Sequence, residues 1–235
     1  MKYFYLYCII LLGFIIAVSY YNTYYEYFTS ETSNTSETSN TNNNTIVLLG
    51  DSMLKNDLYV SRNKSIEEIL KEKFSGQVIS YATDRSKIID VYSQSYKLLA
   101  SLNMDTTTII LSAGGNDILF YYMVKHGDTT DTSILKSTLA DYKLLIESIQ
   151  KMLPKAKLYL LDIYYPISDQ YQKYKPIIKE WNEMIYTYAK DQANNIKGVI
   201  KVSDVLKEKE DFASDIEPSS VGGQKIAASI LRTIS

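Results

Sequence analysis

Ile46-Val47-Leu48-Leu49-Gly50-Asp51-Ser52 sets four consecutive apolar residues against a glycine and two small polar ones. An apolar run without alternation reads as a strand buried on both faces, the habit of parallel sheets covered by helices on each side. Comparable runs recur at Val78 to Tyr81, Thr107 to Leu111, Leu158 to Ile163 and Val199 to Val202. Stretches with helical spacing alternate with them: Ser65 to Lys73, Lys87 to Leu99, Ser133 to Met152, Lys175 to Ala189 and Gly222 to Ile234. Ser65 and Glu68 stand at capping-box spacing at the start of the first of these. Five strands and five helices in this order predict an α/β domain, a three-layer α/β/α sandwich with a five-stranded parallel sheet of the flavodoxin type.

In such a sheet the loops after the strand C-termini gather on one rim, where these folds bind ligands. Gly50-Asp51-Ser52 follows the first strand, Gly114-Gly115-Asn116-Asp117 the third, and Asp215-Ile216-Glu217-Pro218 lies about a dozen residues beyond the fifth. Each of these short stretches is weak evidence by itself; their convergence on one rim makes it the expected site. A capping serine is the structural alternative for Ser52, and a turn or Asx cap for Asn116 and Asp117.

The remaining composition narrows the function classes. The chain has 235 residues, 46% of them apolar and 22% charged, and a formal net charge of -2. With no cluster of Lys and Arg there is no electrostatic footprint for nucleic acid. One histidine, His126, and one cysteine, Cys8, provide no zinc-ligand set, and no metal or other cofactor is expected. The loop after the first strand lacks a phosphate-cradling nest, which argues against a flavin despite the similar architecture. His126 lies in a polar stretch, Lys125 to Thr132, and reads as a solvent-exposed residue. Trp181, on a helical face, reads as packing.

From Phe4 to Val18 the chain is nearly all apolar, with tyrosines at both ends that extend it toward the roughly 20 residues needed to span a bilayer. Residues 1–22 are therefore expected to be one transmembrane helix, a signal anchor holding the domain on the non-cytoplasmic side. The alternative is a cleaved signal peptide and a secreted protein. Residues 23–45, rich in Ser, Thr and Asn, are expected to be a flexible stalk, and 46–235 the folded domain.

The three rim blocks resemble those of SGNH (GDSL-type) hydrolases. Ile46 to Ser52 looks like the block that delivers a nucleophilic serine, with Gly50 and Asp51 preceding Ser52. Leu111 to Asp117 resembles the G-x-N-D block, in which Gly114 supports the motif and Asn116 donates to an oxyanion. Asp215 to Ser219 resembles the last block, with Asp215 at the aspartate and Glu217 where the family has its catalytic histidine. The second block, Val78 to Ser86, sets Arg85 where the family has a glycine whose backbone N–H completes the oxyanion hole.

The resemblance implies a serine esterase or deacylase acting on a lipid, glycan or small acyl ester, with Ser52, Asp215 and Glu217 catalytic. The Ser52 N–H, the Arg85 N–H and the Asn116 side chain would hold the oxyanion. Glu217 would replace imidazole as base, and a nearby Asp215 would raise its pKa by sharing a proton. The Arg85 guanidinium is placed to meet an anionic substrate. The rival reading is an inactive SGNH-like binding or surface-display protein, because loss of a triad member costs about 10⁴ to 10⁶ in rate.

Overall fold

A computed structural model of the protein describes residues 44–100, 102, 104–124 and 132–235. The expected anchor, nearly all of the expected stalk, and His126 lie outside the described residues. Among these residues no helix is long and apolar enough to cross a membrane.

Five parallel strands form one sheet: β1 (Thr45–Leu49), β2 (Gln77–Ser80), β3 (Thr107–Leu111), β4 (Lys157–Leu161) and β5 (Gly198–Ile200), in the order β2-β1-β3-β4-β5. This is the flavodoxin-type order. β1 begins one residue earlier than expected: Thr45 pairs with Gln77 and Thr107, and the Asn44 carbonyl accepts the Gln77 N–H at 2.9 Å. Thr45, expected to be the last stalk residue, is thus the first residue of β1, because sheet pairing extends beyond the apolar run.

The helices are α1 (Ile66–Lys73), α2 (Ile88–Ser95), α3 (Gly115–Val124), α4 (Ser133–Met152), α5 (Asp169–Gln172), α6 (Lys175–Lys190) and α7 (Ser220–Ile234). Ser65 caps α1 by accepting the Glu68 N–H, and Ser219 caps α7 by accepting the Val221 and Gly222 N–H groups. The segment expected to be helical from Lys87 to Leu99 is α-helical only to Ser95 and continues as a 3₁₀ turn over Tyr96–Ala100. Two helices, α3 and α5, were not anticipated from the sequence.

Alternate strand residues feed two separate cores, as a pleated strand demands. Val47 and Leu49 of β1, Ile109 and Leu111 of β3, and Leu158 and Leu160 of β4 pack with α2, α3, α4 and α6. Ile46, Leu48, Ile110 and Leu161 pack with α1 and α7 on the other face. Trp181 of α6 is fully buried and stacks edge-on against Tyr142 of α4, the packing role expected of it. With both faces of the sheet covered, the strand C-termini are the open rim.

Candidate functional site

The β1 exit turns sharply. Gly50 has φ +148°, and a Cβ there would lie 2.3 Å from the Ser112 carbonyl oxygen, so only glycine fits between β1 and the end of β3. Ser52 follows in a turn closed by the Leu54 and Lys55 N–H groups donating to the Asp51 carbonyl. It caps no helix, since the next one begins at Ile66. Asp51 is buried beneath it and accepts from the Ser112 hydroxyl at 2.7 Å and the Met53 N–H at 3.1 Å. Burial pushes the Asp51 carboxyl up to about 6 against these two hydrogen bonds, which favour its charged form.

At the β3 exit Gly114, with φ +98°, lies so close to the Trp181 ring that a Cβ would meet it at 2.5 Å. Asn116 and Asp117 fall in the first turn of α3, not in a loop. The Asp117 carboxylate accepts the Ile88 N–H at 3.1 Å, and the Asn116 amide donates to the Ser86 carbonyl at 3.0 Å. Both therefore tie the β3 exit to the β2 exit. There Arg85 takes a left-handed conformation, φ +59°, in which a glycine would be unstrained. Neither the Arg85 nor the Ser52 backbone N–H donates to a protein acceptor among the described residues. The Arg85 side chain is 86% exposed and lies 3.5 Å from Asp84.

Glu217 comes from the loop before α7. That loop is pinned by a bridge between Phe212 and Pro218, by Ala213 N–H donating to the Glu217 carbonyl at 2.8 Å, and by the Tyr164 hydroxyl donating to the Ile216 carbonyl. Buried Asp211 anchors its base, paired with Lys225 at 2.7 Å and accepting the Lys207 and Glu208 N–H groups. The Glu217 carboxylate reaches the same cavity as Ser52, Asn116 and Asp51. Burial lifts it to about 7, the nearby Ser52 hydroxyl opposes the rise, and the negative charges of Asp84 and Asp51 add to it. One carboxylate oxygen, Oε2, is buried without a partner.

Asp215 is not brought to this cluster. It is exposed and accepts a hydrogen bond from the Gln170 side chain. The negative charges that add to the rise in the Glu217 pKa are instead those of Asp84 and Asp51, in the loops after β2 and β1. Asp84 is itself held by the Tyr59 hydroxyl at 2.9 Å. Neither Asp84 nor Tyr59 carried a signal in the sequence, because each gains its meaning from a loop far away along the chain.

The cavity, about 90 Å³, runs from these polar groups into an apolar wall of Ile118 and Leu119 from α3, Ile163 after β4, and Tyr171, Tyr174 and Ile178 around the start of α6. No family model matches the sequence, and no curated protein matches it. Solved structures do. A lipolytic G-D-S-L family protein from Veillonella parvula superposes with a TM-score of 0.59 at 21% identity, covering 80% of this chain and 96% of its own. The chain has the fold of the SGNH/GDSL hydrolases. The lipase Lip_vut3 from a goat rumen metagenome (TM-score 0.60, 18% identity, 81% and 97% covered) and the acetyl xylan esterase AlAXEase (0.60, 16%, 81% and 100%) share this SGNH fold.

Proposed function

We propose that the protein is an SGNH-type serine esterase or deacylase in which Glu217 does the work of the family's histidine. The observation that carries this reading is the joint placement of Ser52 and Glu217 in one cavity, with the carboxylate held near neutrality by burial. A carboxylate of ordinary pKa is too weak a base for a serine hydroxyl at neutral pH; one near 7 matches imidazole in proton affinity.

Ser52 Oγ attacks the ester carbonyl while its proton passes to the Glu217 carboxylate. The carbonyl oxygen, now an anion, is received by the Ser52 and Arg85 N–H groups and the second Asn116 amide hydrogen. The protonated Glu217 then returns its proton to the leaving alkoxide, which departs and leaves an acyl-serine. Water, deprotonated by Glu217, attacks the acyl-serine; the intermediate collapses with cleavage of the bond to Ser52 Oγ, which takes the proton back from Glu217, and the carboxylic acid leaves. The apolar wall receives the acyl group, and a cavity of about 90 Å³ suits a short chain.

The apolar run from Phe4 to Val18 supports a membrane-tethered domain on the non-cytoplasmic side, presenting this cavity to ester substrates there. The test is hydrolysis of p-nitrophenyl acetate and butyrate between pH 4 and 9 by the parent, Ser52→Ala, Glu217→Gln and Glu217→His proteins. Activity in the parent that is lost in Ser52→Ala and Glu217→Gln supports the carboxylate-base esterase. An inert parent awakened by Glu217→His overturns it in favour of a domain that kept the cleft and lost the chemistry.

A further inference from the structure

α2 buries Ile88, Val91, Gln94 and Ser95. An amide in this buried stripe is costly to desolvate unless it is fully hydrogen-bonded, and Gln94, 3% exposed, is. Its Oε1 accepts the Gly50 N–H at 2.8 Å and its Nε2 donates to the Gly50 carbonyl at 2.9 Å, so the side chain pairs with both polar groups of one residue. The same Nε2 reaches the Ser86 hydroxyl at 3.0 Å and the Thr83 hydroxyl at 3.4 Å. The Gly50 carbonyl also accepts the Thr83 N–H at 2.9 Å, and the Ser86 carbonyl accepts the Asn116 amide.

These bonds tie Gln94 to residues that neighbour or hold the three proposed oxyanion donors. Gly50 stands two residues before Ser52, Ser86 follows Arg85 directly, and Asn116 is bonded to Ser86. We propose that Gln94 is a positioning residue of the catalytic site, fixing the spacing of the Ser52, Arg85 and Asn116 donors by clamping the β1 exit to the β2 exit. The left-handed backbone of Arg85, unfavourable for a residue with a side chain, is the part of the site most in need of such a clamp. The role rests on the esterase reading for its consequence in catalysis, while the clamp itself is a statement about the resting protein.

The experiment compares the full chain with Gln94→Leu and Gln94→Glu by ester kinetics and by ¹⁵N–¹H spectra without substrate. Gln94→Leu removes every bond; Gln94→Glu keeps the acceptor for Gly50 N–H and loses both donors, and serves if the leucine variant does not fold. The expected result is a fall in kcat of about 10²-fold with KM changed by no more than about threefold, the pattern of a lost transition-state interaction. The Ser52 and Arg85 backbone signals and the Asn116 side-chain signals should move together with those of Gly50 and Thr83. A residue serving only stability would lower the melting temperature and leave the kcat of the folded protein and the Arg85 and Asn116 signals in place, and that outcome overturns the proposal. If the parent hydrolyses no ester, the esterase reading falls separately, and the spectra alone decide: unmoved Arg85 and Asn116 signals refute the clamp, moved signals uphold it.

Discussion

Glu217 and Ser52 line one cavity although one arrives from the loop before the last helix and the other from the end of the first strand. Their shared cavity, together with the burial that lifts Glu217 to about 7, decides how activity should respond to pH. The base form is the ionised one, so hydrolysis should be low at pH 5, rise through about 7 and level off above it. A pH profile of kcat/KM in the parent reads this directly; a profile already flat from pH 5 upward would remove Glu217 from the base role. Glu217→Gln should lower kcat by about 10²- to 10⁴-fold, the usual contribution of a positioned base.

Asp215 is predicted to matter little. Its carboxylate is exposed and bound to Gln170, away from the cavity. Asp215→Asn should leave kcat/KM within about threefold of the parent, since this carboxylate does not line the cavity that holds Ser52 and Glu217. Loss of activity comparable to that of Glu217→Gln, in the same assay, would restore Asp215 to the catalytic group.

Asp51 carries a cost in stability for its place under the nucleophile. Its pKa in the folded protein, about 6, stands above its ordinary value of 3.8, so the folded state holds the proton more tightly than the unfolded chain. Stability from this group is therefore greatest below about pH 4, declines as pH rises through about 6, and stays flat above. Asp51→Asn keeps an oxygen to accept from Ser112 and Met53 and removes the charge. It should stabilise the protein at pH 8 by up to about 3 kcal/mol and by almost nothing at pH 3.5, measured by urea unfolding at the two pH values. Destabilisation at pH 8 would show that the ionised carboxylate is held by more than these two bonds.

Gly114→Ala tests the packing behind the site. The added methyl would meet the Trp181 ring at 2.5 Å from a backbone at φ +98°, so backbone strain and overpacking act together. A loss of about 2 to 4 kcal/mol is expected in chemical denaturation, with Asn116 displaced and activity reduced in the folded fraction.

The cavity predicts acyl-chain selectivity. Acetyl and butyryl esters should be preferred, with kcat/KM for p-nitrophenyl octanoate at least about tenfold lower, because each methylene that finds no apolar space forfeits of order 1 kcal/mol. A steady rise to octanoate would mean that the wall formed by Tyr171, Tyr174 and Ile178 opens to admit longer chains.

Much of the architecture was legible in the residues. Thr107 to Leu111 and Ser133 to Met152 were read with the bounds the structure gives, and Ser65 caps the helix it was expected to open. α3 was not. Its sequence, GNDILFYYMV, begins with turn-like residues and is apolar on nearly every side, so it has no amphipathic stripe to announce it. In the fold Ile118 and Tyr122 are buried while Phe120, Met123 and Val124 are exposed. Gln94 was missed for the opposite reason: it sits in an orderly apolar stripe, and a polar residue at that position was the available signal.

The alternation of strands and helices and the rim on which Ser52 and Asn116 sit follow from the residues directly, because side-chain period and the glycine turns at Gly50 and Gly114 are local properties of the chain. That Asp84 and Asp51, rather than Asp215, bear on Glu217, and that Gln94 joins two loops, follows from the packed fold. Charge interaction and burial act through space, and the distances that govern them exist only once segments far apart in the chain have been packed together.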